Sequence, residues 1–176
     1  MIKIMIKYSN FTEEDIVLCK DSYKPLCLIE LFLKNQIDVI LTKHYDESWL
    51  QSDKLKLHFK EREKINKIIH RNDNVYNKEF LMNNLTLGFW TGLLHKYYHH
   101  LLWRNNDTIK ELLPHLDNIE RSLLRIEKDL NLIRQFRNKV FHFNSIKNDN
   151  LEKINRILTK IIFGITGKNT NDIRLN

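Results

Sequence analysis

The chain has 176 residues, enough to bury most of its apolar surface in one domain without disulfides. Only 4 Gly and 2 Pro interrupt it, so long helices are expected rather than turn-dense β structure, and the expected class is all-α. A formal charge of +7 invites an acidic partner such as nucleic acid, although an AT-rich coding sequence would supply the same abundance of Lys, Ile and Asn.

Cys19 and Cys27 lie eight apart with no Cys-x-x-Cys pair, which indicates neither a disulfide framework nor a zinc knuckle and makes a reduced cytosol the expected compartment. No charged-then-apolar leader opens the sequence. No apolar run approaches the roughly 18 residues of a membrane span. A cytoplasmic protein without a membrane partner is expected.

Residues 1–11 form a short apolar-basic lead-in. Thr12 with Asp15 three residues on reads as a helix N-cap, opening a short helix through Leu18. Pro25 suits the first turn of a second helix, and Leu26, Ile29, Leu33, Ile37 and Ile40 keep its period to about His44. Tyr45 to Asp53 reads as a connection. Lys54 to His70, helical at least from about Phe59, has a thin apolar face of Ile65, Ile68 and Ile69. Residues 54–71 carry seven Lys/Arg against Glu61 and Glu63, a local charge of +5. Arg71 to Asn77 is a polar loop.

Asn84 can cap a helix running to Trp103, with Gly88 and Gly92 giving close approach on one side. Its aromatics, Phe89, Trp90, Tyr97, Tyr98 and Trp103, suit either a core face or a platform for stacking bases. Asp117 with Glu120 makes a capping-box start for a helix ending near Phe143. Leu116, Ile119, Leu123, Ile126, Leu130 and Ile133 form its apolar stripe, and the same count then reaches Arg137 and Val140. Asp149 with Glu152 opens a last helix through Phe163, with face Leu151, Ile154, Leu158 and Ile161 and Gly164 as its stop. Residues 165–176 read as a frayed tail. The whole is one domain over residues 1–176, a bundle of about five or six helices.

Several chemistries find no support. His95 and His99 have the i, i+4 spacing of a metal pair, but no carboxylate lies between Asn83 and Asn106, so no metal site is assigned and no cofactor is called for. Gly164 and Gly167-Lys168-Asn169 are too closely spaced for a phosphate loop and lack its Ser/Thr. No Gly-x-Ser-x-Gly occurs, and neither cysteine has a catalytic signature.

What remains is Arg137 and His142. A guanidinium in an apolar stripe is costly unless an anion, a polar partner or a second subunit meets it. On an ideal helix the two residues stand roughly 140° apart and about 7.5 Å along the axis, whereas Asn138 and His142 share a face. Two readings stay open. A neighbouring subunit's copy can close a composite site across the seam. Alternatively, the arginine is bound to a carbonyl or acid at a helix–helix contact and His142 is a surface residue.

Arg137-Asn138-Lys139-Val140-Phe141-His142 matches the R-N-x-x-x-H signature of the HEPN superfamily, in which the motif lies late in a long helix followed by one more helix. Two further stretches resemble its Abi-like, abortive-infection branch. They are Leu28-Ile29-Glu30-Leu31-Phe32-Leu33-Lys34-Asn35 through Trp49-Leu50, and Leu85-Thr86-Leu87-Gly88-Phe89-Trp90 through Tyr98-His99-His100-Leu101-Leu102-Trp103. The likeness covers about residues 25–145. Phe143 and Asn144 stand where that branch commonly has a polar residue and an acid, and Lys34 replaces its usual Arg. Asn144 also stands where members modified by a nucleotidyltransferase partner carry Tyr, which argues against that control.

The resemblance implies an all-α HEPN-like bundle that dimerises through the motif helix and acts as a metal-independent endoribonuclease, a toxin or phage-defence effector. The ribose 2′-OH would attack the adjacent phosphate, leaving a 2′,3′-cyclic phosphate. His142 would be general acid or base, Arg137 would bind the phosphate, and Asn138 would orient either. Lys60, Lys64, Lys67, Arg134 and Lys139 would hold the RNA backbone. The expected partners are RNA, a second copy in a homodimer with its seam along Ile126, Leu130, Ile133, Arg137 and Val140, and an antitoxin protein. The alternative is a non-catalytic helical dimer that binds RNA or protein.

Overall fold

The computed structural model describes residues 11–103, 106–118 and 122–173, with Asn106 in backbone only. Helix α1, Glu13–Tyr45, is 33 residues long, about 50 Å of axis. Its start is the expected one. Thr12 accepts from the Asp15 amide and Asp15 reaches back to the Thr12 amide, a complete capping box. The expected break before Pro25 does not occur. A proline inside a helix costs about 3 kcal/mol, but Ser22, Leu26, Ile29, Leu33, Ile37 and Ile40 form one buried face across it. Each fully buried Leu or Ile contributes about 1.5–3 kcal/mol. The packing wins.

Helix α2, Phe59–Arg71, begins where the sequence places it, and the loop after it runs to Asn77. Asn77 caps α3, Lys78–Asn84, by accepting from the Phe80 amide at 2.8 Å. The expected helix from Asn84 to Trp103 is instead two short ones, α4 (Leu87–Gly92) and α5 (Lys96–His99). On one straight helix Trp90 and Trp103 would stand about 140° apart, so both could not face the same core. The break after Gly92 lets both be buried. It also turns the Leu93 carbonyl to the Trp103 indole, which donates to it at 2.7 Å.

Helix α6 spans Asn106–Leu112 and α7 spans Leu123–Phe141. The expected start of α7 at Asp117 moves to Ser122, and Ile119 and Glu120 lie outside the described residues. Helix α8, Leu151–Thr166, is capped by Asn150 rather than Asp149, whose carboxylate meets Lys139 at 2.8 and 2.9 Å. Gly164 does not stop it. A Cβ there would sit 2.8 Å from Leu116, so this glycine lets the 113–116 segment lie against the helix. The stop is Gly167, at φ 67°. The chain then makes a 3-10 turn, Thr170–Asp172, and buries Ile173, so the expected fraying does not hold through that residue, and 174–176 lie outside the described residues.

The described residues thus hold eight α-helices and no strand. Helix α1 packs most extensively on α8, while α7 lies against α4, α8 and α1, and α2 against α3 and α4. Ile126, Leu130, Ile133, Phe136 and Val140 of α7 are buried within this core. The stripe expected to form a dimer seam is therefore already covered by the chain itself. Phe89, Trp90, Tyr98 and Trp103 are core, which leaves Tyr97 as the exposed member of that aromatic group. Among the described residues no helix is long and apolar enough to cross a membrane.

Candidate functional site

Arg137 projects from the last full turns of α7 toward α1 and α4. Its Nη2 lies 3.3 Å from Glu30 Oε2, and its guanidinium carbon sits 4.4 Å above the centre of the Phe141 ring. That ring in turn stacks on Tyr23 at 5.4 Å. The other Glu30 oxygen accepts from the Leu87 amide at 2.9 Å. One carboxylate therefore neutralises the arginine and caps the first turn of α4. Arg137 Nε is enclosed and meets no acceptor among the described residues. An enclosed donor left unpaired costs about 1–3 kcal/mol, and such unmet groups concentrate at functional sites.

His142 lies just past the end of α7, with φ −107° and ψ 15°. The backbone has left the helical path there, beyond the stretch to which ideal-helix geometry applies. Arg137, Asn138 and His142 line one open pocket of about 340 Å³, together with Lys64, Arg134 and the Thr86–Gly88 corner of α4. His142 and Asn138 are exposed, and Arg137 is about one-fifth exposed. The turn after the helix is closed by paired bonds, Asn144 N–H to Lys139 C=O at 2.9 Å and Phe143 N–H to Val140 C=O at 3.4 Å. Phe143 takes the left-handed conformation, φ 54°, that glycine usually fills at such a stop.

A second carboxylate fixes the far side of this turn. Asp15 accepts from the Ile146 amide and the Ser145 hydroxyl, both at 3.0 Å, in addition to Thr12. Burial pushes its carboxyl up, but these donors outweigh burial and hold it at about 2.

The five expected RNA-contacting cations divide. Lys64 and Arg134 line the motif pocket, and Lys60 lines the cavity that adjoins it. Lys67 is paired with Glu63 at 2.7 Å and lines a small cleft that shares Lys64 and Thr86 with the motif pocket. Lys139 is turned to Asp149. Arg134 meets no carboxylate among the described residues and reaches only the Asn131 side-chain oxygen, at 3.4 Å.

The histidines do not form the pair that their spacing suggested. His95 precedes α5 and accepts from the Tyr97 amide, while His99 Nε2 lies 3.1 Å from the Leu94 carbonyl and 3.4 Å from Glu127. Among the described residues no three His, Cys, Asp or Glu side chains gather as a metal-binding group.

Two features escaped the sequence. Glu30 carried a signal, an acid set between Ile29 and Leu31 in an otherwise apolar helix face. The cluster of Glu61, Tyr98 and His58 carried none, because Tyr98 lies 37 residues from Glu61 and 40 from His58. No protein-family profile, curated protein or solved structure matches this chain.

Proposed function

We propose that the chain is a metal-independent endoribonuclease of HEPN type, whose cleft at the end of α7 cuts RNA by 2′-OH attack on the adjacent phosphate. The observation that carries this reading is the gathering of Arg137, Asn138 and His142 on one open pocket with two further cations, Lys64 and Arg134. His142 is the motif side chain suited to moving a proton near neutrality. It accepts the 2′-OH proton or returns one to the 5′-oxygen leaving group. Arg137 and Arg134 stabilise the charge that grows on the phosphate oxygens. Asn138, one turn before His142, orients the ring or the phosphate. The products are a 2′,3′-cyclic phosphate and a 5′-OH. A toxin or phage-defence role, with a second copy and an antitoxin as partners, belongs to the same proposal.

One observation favours the rival reading of a non-catalytic RNA-binding module: Arg137 already has an acid, Glu30. Incubation of the purified chain with total RNA in EDTA, beside a His142→Ala control, separates the two. Cyclic-phosphate ends from the wild type and none from the variant support the enzyme. Retention of intact RNA by both supports the module.

A further inference from the structure

A second and larger cavity, about 730 Å³, opens beside the motif pocket. It lies within the roughly 300–1,000 Å³ in which proteins hold small organic groups. Gly88 and Arg134 line both spaces, so they are successive reaches of one groove along α4 and α7.

The distant wall of this cavity is aromatic and rigid. Tyr97 is 43% exposed there, and its ring is braced edge-on by His58 at 5.1 Å and by Tyr98 at 4.9 Å. Tyr98 is buried. Its hydroxyl accepts from the His58 amide at 2.8 Å and donates to Glu61 at 3.2 Å. Burial pushes the Tyr98 hydroxyl pKa well up, which keeps it a donor. Glu61 is balanced by Lys64 at 3.4 Å, and a Cβ on Gly92 would come within 3.1 Å of its Oε1. Lys60, Lys96 and Arg134 stand around the lining without a carboxylate partner among the described residues.

An aromatic on a cavity wall, flanked by cations without a carboxylate partner and continuous with the motif pocket, is the arrangement that holds an unstacked base and its backbone. We infer that this cavity is a nucleotide subsite, which takes the base next to the scissile phosphate against Tyr97, with Arg134 on the stretch of backbone that joins the two spaces. The inference rests on the ribonuclease reading and adds to it a place for the neighbouring nucleotide. A base paired in a duplex cannot enter. The groove therefore selects single-stranded RNA.

The test uses 2′-O-methyl hexanucleotides, which cannot be cleaved, with 2-aminopurine placed at each position in turn. Wild type, Tyr97→Ala and Tyr97→Phe are compared for affinity and for quenching of the fluorescent base, with circular dichroism as the check on folding. Wild type should quench one position most strongly. Tyr97→Ala should lose that quenching and bind about tenfold more weakly, and Tyr97→Phe should keep both. Unchanged affinity and quenching in Tyr97→Ala would overturn the subsite while leaving RNA binding at the motif intact. A wild-type protein that bound none of the hexanucleotides would overturn the subsite and the ribonuclease reading together.

Discussion

Glu30 and Arg137, 107 residues apart in the chain, meet at 3.3 Å beside the candidate site. The carboxylate occupies the position that a phosphate bound to this arginine would contest. Glu30→Gln should therefore raise affinity for a non-cleavable oligonucleotide several-fold, because the amide leaves the cation unneutralised. It should also lower stability by about 1 kcal/mol, the typical scale for a partly exposed pair. Glu30→Ala should cost more, about 1–3 kcal/mol, since it orphans the Leu87 amide as well. Calorimetric titration and thermal melts read the two effects separately.

The two motif residues should part company in stability. His142 is exposed, so His142→Ala should abolish cleavage and leave the melting temperature near that of wild type. Arg137→Ala removes the Glu30 pair and the contact over Phe141, and should destabilise the fold by about 1–3 kcal/mol as well as silence it. Arg137→Lys should keep the charge but lose the planar fork, so activity should not return. Cleavage that persisted in both alanine variants would remove the motif from the mechanism.

Acid should loosen the turn beyond the motif helix. The Asp15 carboxyl sits at about 2 in the fold against an ordinary value of 3.8. A depressed pKa stabilises the fold above the ordinary value, and that contribution is lost as pH falls from about 4 toward 2. Asp46, held at about 2 chiefly by hydrogen bonds from Lys54 and Ser48, acts in the same window from the surface. In Asp15→Asn the acid limb of the stability curve should be shallower than in wild type, and the Ile146 amide should exchange faster at neutral pH. An identical acid limb in the variant would show that Asp15 does not anchor the turn.

Ile133 is completely buried, so Ile133→Asp should unfold the chain rather than split an assembly. An unpaired carboxylate in a filled core should cost more than about 3 kcal/mol. Denaturant titration together with sedimentation decides the matter. A folded but monomeric variant of a dimeric wild type would place the seam on this stripe after all.

Salt should separate the cations that track RNA from those that do not. Each phosphate neutralised on a single strand adds about 0.7 to the slope of log affinity on log salt. Lys60→Gln with Arg134→Gln should flatten the slope by about 1.4. Lys139→Gln should leave it unchanged, because that charge is spent on Asp149.

The all-α class, the Thr12 cap, the α2 boundaries and the buried stripe of α7 were legible because each rests on local chemistry or helical period. The failures share a cause. Pro25 reads as a boundary until the buried face on both sides of it is known, and the helix from Asn84 reads as continuous until two tryptophans must reach one core. At the candidate site, the helical period singled out Arg137 and the R-N-x-x-x-H resemblance added Asn138 and His142, while ideal-helix spacing set Arg137 and His142 about 140° apart although both line one pocket. Glu30 was unassigned for a different reason. Its partners come from α4 and α7, and only the packing of α1 brings them to it.

The longest packed seam joins the first helix to the last, α1 to α8. For an all-helical protein that is a long-range closure, and its cost in chain entropy falls before most of the core contacts can repay it. During synthesis α1 emerges early and must keep its apolar face from aggregation until α8 has left the ribosome. The cleft depends on the same first helix, since Glu30 and Asp15 hold it from α1. A nascent chain lacking α8 has every residue of the motif and Glu30 as well, but the α1 face that sets Glu30 in place is still uncovered, so the order of synthesis itself delays assembly of the site until the core can close.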